Sequence, residues 1–319
     1  MKRLYACILS VLFIAITGCA TTPLMNAAGK GDIKEAERLL AGGDSVNEGD
    51  TFGQTPLHFA AIIDIHTIPD FKAIPRQNDI TVIIGIENYQ GLPKSDYSKS
   101  DADIVKDYLK ALGFQERNIE LLTDGKATFS GITKTIETWL PNRVKKESRV
   151  FIYYSGHGAP DPSTGEAYLV PYDGDPNYLE VTGYPLKRLY DKLGKLQVAE
   201  VTVVLDACFS GAGGRSVLAK GARPLVMMAD VSVLSSNMAV LSATQGTQIS
   251  TSSPEKGHGV FTYYFLKAIK DGKKNIAEIY EYIKPLVEDE AKQLNVQQSP
   301  SISPDVEKLK GRFLFLLRR

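Results

Sequence analysis

The sequence predicts an α/β fold built on a mostly parallel sheet with helices on both faces. Two observations carry that prediction. Short apolar and β-branched runs such as "TVIIGI" (81–86) and "VTVVL" (201–205) lack the alternation of a half-solvated strand, so each is expected to be buried on both sides. Segments with apolar positions at helical spacing separate these runs, the order produced when each parallel strand is followed by a crossover helix. A third observation sets the scale: 319 residues, 43% hydrophobic and 23% charged, are enough for one large domain and one small one.

The chain opens on "MKRLYACILSVLFIAITGCATTP", with a basic start at Lys2 and Arg3, an apolar stretch from about Leu4 to Ile16, and small residues ending at Cys19. That layout is a secretory leader over residues 1–18, and its apolar part is too short for a comfortable membrane span. The junction "ITGC" resembles a bacterial lipobox, which implies cleavage before Cys19 and lipid on its thiol. Ala20 after it resembles the pattern of outer-membrane sorting in Gram-negative bacteria. The implied location is the cell envelope, lipid-anchored and facing the periplasm. Three cysteines are thereby accounted for: Cys7 leaves with the leader, Cys19 is acylated, and Cys208 has no disulfide partner.

Residues 19–66 carry a short repeat. Thr22-Pro23-Leu24 returns as Thr55-Pro56-Leu57 at an offset of 33, and Ala27-Ala28 returns as Ala60-Ala61. Thr and Pro suit a helix start, and paired alanines let two helices approach closely. The period and the "TPLHFAA" wording resemble ankyrin repeats, with His58 as the ankyrin-type histidine that bonds within its own turn. The second copy dissolves after Ile62, and so short an array is expected either to pack on the main domain or to contact a protein partner. A linker is expected over residues 67–78.

From residue 79 to 319 strand-like and helix-like segments alternate. Strands are expected at Thr81–Ile86, Ile119–Thr123, Arg149–Ser155, Val201–Leu205, Ala239–Ser242 and Phe313–Leu317, a six-stranded sheet. Helices are expected at Ser100–Leu112, Phe129–Asn142, Leu186–Leu193, Val260–Asp271 and Ile276–Leu294. Sites in such sheets gather at the carboxyl ends of strands. Two residues stand there: His157 between glycines in "RVFIYYSGHGAP", and Cys208, 51 residues later, in "VTVVLDACFSG". A nucleophilic cysteine needs a base that can take its proton, and glycines beside the base let a substrate approach the backbone.

"YYSGHG" and "LDACFSG" at that separation resemble the caspase fold of cysteine peptidases, closest in wording to bacterial caspase-like proteins, metacaspases and paracaspases. "IGIENYQGLP" followed by "SDADIVKDYLKALGF" resembles the family's first strand, loop and helix. The resemblance implies an endopeptidase with a Cys208–His157 dyad, an acyl-enzyme, and an oxyanion held by the backbone N–H groups of Gly158 and Cys208. Asp206, two residues before the cysteine, resembles the acidic pocket residue of metacaspases and paracaspases, and Asp101 in "KSDAD" is the best match to the second pocket carboxylate. Two carboxylates suit a guanidinium, so cleavage after Arg or Lys is expected. Arg215, Lys220 and Arg223 lie where caspase-like chains join their subunits and are candidate self-cleavage sites, Arg223 being disfavoured by Pro224.

Other readings bound these expectations. A catalytically inactive caspase-like scaffold is the alternative function, and a legumain-like or clostripain-like hydrolase of the same fold is the neighbouring enzyme class. His258, also between glycines, precedes a helix and reads as a loop or cap residue. Asp173 and Asp175 in "VPYDGDPN" read as turn acids rather than calcium ligands, and no cofactor or metal is expected. Lys+Arg and Asp+Glu both number 37, which gives no electrostatic case for a nucleic-acid partner. The expected partners are protein or peptide substrates, and the membrane through Cys19.

Overall fold

The computed structural model describes residues 22–30, 33–50, 53, 55–57, 65–161, 163–209, 215, 217, 234–246 and 248–315. The chain divides into two compact units, residues 1–67 and 68–319. Cys19, Lys220 and Arg223 lie outside the described residues.

In the first unit, helices α1 (Pro23–Lys30) and α2 (Ile33–Ala41) pack on one another. Thr22 starts α1 as a cap: its Oγ1 accepts from the Met25 N–H at 3.1 Å, and Pro23 follows at the first helical position, where the missing N–H costs nothing.

The second unit is a six-stranded sheet in the order β11-β8-β7-β3-β1-β2, formed by β1 (Ile80–Gly85), β2 (Ile119–Thr123), β3 (Arg149–Ser155), β7 (Glu200–Asp206), β8 (Met238–Ser242) and β11 (Ser301–Ser303). All neighbours are parallel except β11, which runs antiparallel to β8. Alternate residues of the central strands face opposite layers. Ile80, Val82, Ile84, Val150, Ile152, Val201 and Val203 share a core with Ile132 and Ile136 and with Leu189 and Leu193 of helix α6 (Leu186–Gly194). On the other face Gly85 meets helix α3 (Ser98–Ala111) so closely that a Cβ there would stand 2.4 Å from Ala102 Cβ. On that face too, Phe151 stacks on Phe265 of helix α7 (Val260–Lys270), which packs on helix α8 (Ile276–Gln293).

Three expectations are corrected. The sixth strand is Ser301–Ser303, not Phe313–Leu317; Phe313 and Phe315 are buried instead, and Phe315 lies edge-on to Phe151 and Phe265 at 5.3 and 5.7 Å. Their apolar character serves a core cluster, not a ladder. The helix expected over 129–142 is α-helical over α4 (Phe129–Lys134), continues as a wider π-helix over Thr135–Trp139 and ends there, short of Asn142. His258 is neither loop nor cap, but lies in a two-residue strand. The remaining elements are small: β4 (Gly158–Pro160), β5 (Ala167–Leu169) and β6 (Tyr184–Pro185) form a side sheet, with helix α5 (Leu179–Thr182) before β6. Strands β9 (Ser252–Ser253) and β10 (His258–Gly259) form a second, and helix α9 (Val306–Leu309) follows β11.

Candidate active site

Strand register brings the two motif residues together. In the parallel pair β3 and β7, Ser155 stands opposite Asp206, and His157 and Cys208 each follow two residues later, past the carboxyl edge of the sheet. The next residue shows how close the two turns run. A Cβ on Gly158 would lie 2.5 Å from the Cys208 carbonyl oxygen and 2.6 Å from Phe209 Cδ1, so only glycine permits the approach.

His157 is buried and held from three sides. Its N–H donates to the Tyr89 hydroxyl at 2.7 Å, its carbonyl accepts from the Tyr154 hydroxyl at 2.6 Å, and its ring lies against Tyr89 with centroids 4.7 Å apart. Ring Nε2 faces the Pro93 carbonyl oxygen at 2.8 Å. A carbonyl only accepts, so this contact assigns the proton to Nε2 and the lone pair to Nδ1, which is buried without a hydrogen-bond partner. Burial pushes the imidazole below the usual histidine range, against the opposing pull of the Pro93 carbonyl. A neutral base results. Cys208 is fully buried, and its thiol donates to the Gln248 carbonyl at 2.8 Å.

The acidic pair forms one pocket, and it is filled. The guanidinium of Arg215 lies between the carboxylates, with Nη2 3.0 Å from Asp101 Oδ2 and Nη1 3.0 Å from Asp206 Oδ2. Nη1 also donates to Ser155 Oγ at 2.7 Å, and Nη2 to the Asp96 carbonyl at 2.9 Å. Each acid is braced from behind. Thr262 and Ser250 hydroxyls donate to the two oxygens of Asp206 at 2.6 and 2.7 Å, and His258 Nδ1 stands 2.8 Å from Asp101 Oδ1. Burial pushes the Asp206 carboxyl above its usual range, opposed by Arg215 and reinforced by the neighbouring charge of Asp101. Burial works against the Arg215 charge, but Asp206 and Asp101 outweigh it and its pKa rises. Gly259 makes the room: a Cβ there would fall 2.5 Å from Asp206 Oδ2 and 2.7 Å from Arg215 Nη2.

The backbone of Arg215 is seated as deliberately as its side chain. Its carbonyl oxygen accepts from the N–H of Gly158 at 2.9 Å and of Cys208 at 3.4 Å, and its own N–H donates to the Ser250 carbonyl at 3.3 Å. The two amides expected to hold an oxyanion thus converge on one carbonyl oxygen. His157, Cys208, Gly158, Asp206 and Asp101 therefore meet in one place. Asp101, in the first turn of α3, turns its side chain into the pocket instead of capping the helix.

Sequence reasoning missed Pro93, His258, Gly259, Ser250 and Thr262. Pro93 acts through a backbone carbonyl, which no residue type announces. The "KGHG" glycines were the signal for Gly259, because a glycine beside a buried histidine marks a close approach. Asp175 is a local turn acceptor, taking the Asn177 N–H at 2.9 Å, whereas Asp173 reaches across 44 residues of sequence to accept from the Phe129 N–H at the start of α4 at 2.8 Å. Among the described residues, no group of three or more His, Cys, Asp or Glu side chains is gathered so as to hold a metal ion.

The model of the caspase domain family matches residues 78–309. A protein of solved structure from Geobacter sulfurreducens is similar in fold at 19% identity, with a TM-score of 0.54 over 76% of this chain and 100% of that one. Caspase-1 from Spodoptera frugiperda aligns at 13% identity and a TM-score of 0.49, over 79% of this chain and 95% of that one. No curated protein matches the chain.

Proposed function

The chain belongs to the caspase domain family, and on that premise we propose that it is a cysteine endopeptidase that cuts after arginine, and more weakly after lysine. One observation carries the reading: Arg215 makes, with its guanidinium and its carbonyl oxygen, the contacts that a substrate residue just before the cut bond would make. Five acceptors surround its two terminal nitrogens, namely the carboxylates of Asp101 and Asp206, the Ser155 hydroxyl and the backbone carbonyls of Asp96 and Asp206. A planar fork uses such a set better than a single ammonium does.

The chemistry follows from the geometry. Cys208 Sγ turns from Gln248 toward His157 Nδ1, which takes the thiol proton, and the thiolate forms a bond to the carbonyl carbon. The oxygen gains negative charge on the Gly158 and Cys208 amides, where donors are already aimed. As the C–N bond breaks, His157 gives the proton to the leaving amine. Water, deprotonated by the same imidazole, then hydrolyses the thioester and regenerates the thiol. Pro93 keeps Nε2 protonated throughout and so keeps Nδ1 on duty. The bond following Arg215 is by this reading the first one cut.

Wild type and Cys208→Ala, compared by intact mass and with fluorogenic arginyl, lysyl and aspartyl peptides, test the reading. Wild type is expected to be nicked after Arg215 and to cut the arginyl peptide best, with Cys208→Ala inert in both respects; preference for the aspartyl peptide, or equal cleavage by Cys208→Ala, overturns it. The "ITGC" junction supports the further proposal that lipid on Cys19 holds this peptidase at the outer membrane, facing the periplasm.

A further inference from the structure

The segment seated in the pocket continues beyond the residue that fills it. Gly158 N–H donates to the Arg215 carbonyl at 2.9 Å, and Val217 N–H donates back to the Gly158 carbonyl at 2.9 Å. This pair of bonds ties Arg215 and Val217 to Gly158 of β4 in the pattern used when a peptide is added to a strand, a mode in which main-chain bonds fix the register and side-chain pockets select the sequence. At the register so fixed, Val217 packs on an apolar patch formed by Ala159, Tyr168, Val170 and Leu179, with Tyr89 and Leu92 beside it. Tyr89 is also the residue whose hydroxyl holds His157, so the patch and the catalytic base share a wall.

We infer that this patch is a specificity subsite for the second residue after the cut bond, and that it takes an aliphatic side chain. The inference rests on the peptidase reading of Cys208 and on Arg215 as the residue before the cut. The substrate class becomes an extended segment of the form Arg-Xaa-(Val, Ile or Leu), recognised on both sides of the bond. A charged residue at that position would lose its hydration against Tyr168 and Leu179 without gaining a partner.

The test uses the wild-type protein and internally quenched peptides based on residues 213–218, Gly-Gly-Arg-Ser-Val-Leu, with the Val position replaced in turn by Ile, Leu, Gly, Asp and Lys. An arginyl amide with no residues after the cut bond serves as the reference. Values of kcat/KM for the Val, Ile and Leu peptides are expected to exceed those for Asp and Lys by about tenfold or more, with Gly between, as an apolar pocket discriminates. Cleavage of every arginyl peptide at equal rates, with the reference also cut, overturns the subsite and leaves the peptidase reading intact. Failure to cut any arginyl peptide or the reference overturns the peptidase reading, and the subsite falls with it.

Discussion

Removing the guanidinium from the pocket is the most direct perturbation of the proposed site. The substitution is Arg215→Ala, made on a Cys208→Ala background so that no bond is cut. It withdraws two ionic contacts of 3.0 Å from carboxylates that are themselves fully buried. Breaking a buried ion pair by deleting one partner costs about 3–5 kcal/mol, and at about 2–4 °C per kcal/mol for a domain of this size the midpoint falls by roughly 6–20 °C. Water entering the emptied pocket moves the loss toward the lower figure. The vacancy then becomes a receptor. Agmatine, a free alkylguanidine, at a hundred times its Kd restores about 2.7 kcal/mol, or roughly 5–11 °C. Thermal unfolding of the single and double variants, titrated with agmatine and with butylamine, reads this out. Saturable stabilisation by agmatine is expected in the double variant only, with butylamine weaker. Equal shifts in both proteins, or an unchanged midpoint on losing Arg215, would refute the argument that Asp101 and Asp206 form an arginine pocket.

Two further predictions concern neighbouring residues. His157 must be neutral to accept the thiol proton, and its pKa is lowered from 6.5, so kcat/KM should hold at and above pH 6.5 and fall only as pH drops through that lowered value; an acid midpoint above 6.5 in the pH profile would contradict the assignment. Gly259→Ala forces a Cβ against Asp206 Oδ2 and the guanidinium site, and an overpacking cost of about 1–3 kcal/mol translates to a roughly 5- to 150-fold loss in arginyl cleavage, whereas cleavage at the wild-type rate would remove Gly259 from the pocket wall.

The parts of the fold that the sequence announces are those buried on both faces. Arg149–Ser155 and Ile80–Gly85 fall within a residue of where the apolar runs place them, because a central parallel strand has no solvent side to blur the pattern. The edge strand Ser301–Ser303 is short, polar and only partly buried, so it leaves no periodic trace, while Phe313–Phe315 looks like a strand because aromatic packing and sheet formation ask for the same residues. The site divides along a similar line. Side chains with distinctive chemistry, His157, Cys208 and Asp206, are readable from their turns. Asp101 needed a family resemblance, since an acid in the first turn of a helix ordinarily serves the helix itself. The Pro93 carbonyl and the brace of His258 on Asp101 become visible only when the chain folds, since one is backbone and the other acts across 157 residues of sequence.

Arg215 lies seven residues from Cys208 in the chain, and residues 209–214, "FSGAGG", contain no Arg or Lys at which a second cut could free it. A ligand on so short a leash is present at its receptor in the millimolar range however dilute the protein is. Cutting the bond after Arg215 does not loosen that leash: it turns the carbonyl into a terminal carboxylate that still hangs from the nucleophile's own loop. On the proposed peptidase reading, an incoming peptide would compete with a resident end product at every turnover, and nicking and opening would be separate events. The measure of activation is then how often the leash is out of the pocket, rather than how many chains have been cut.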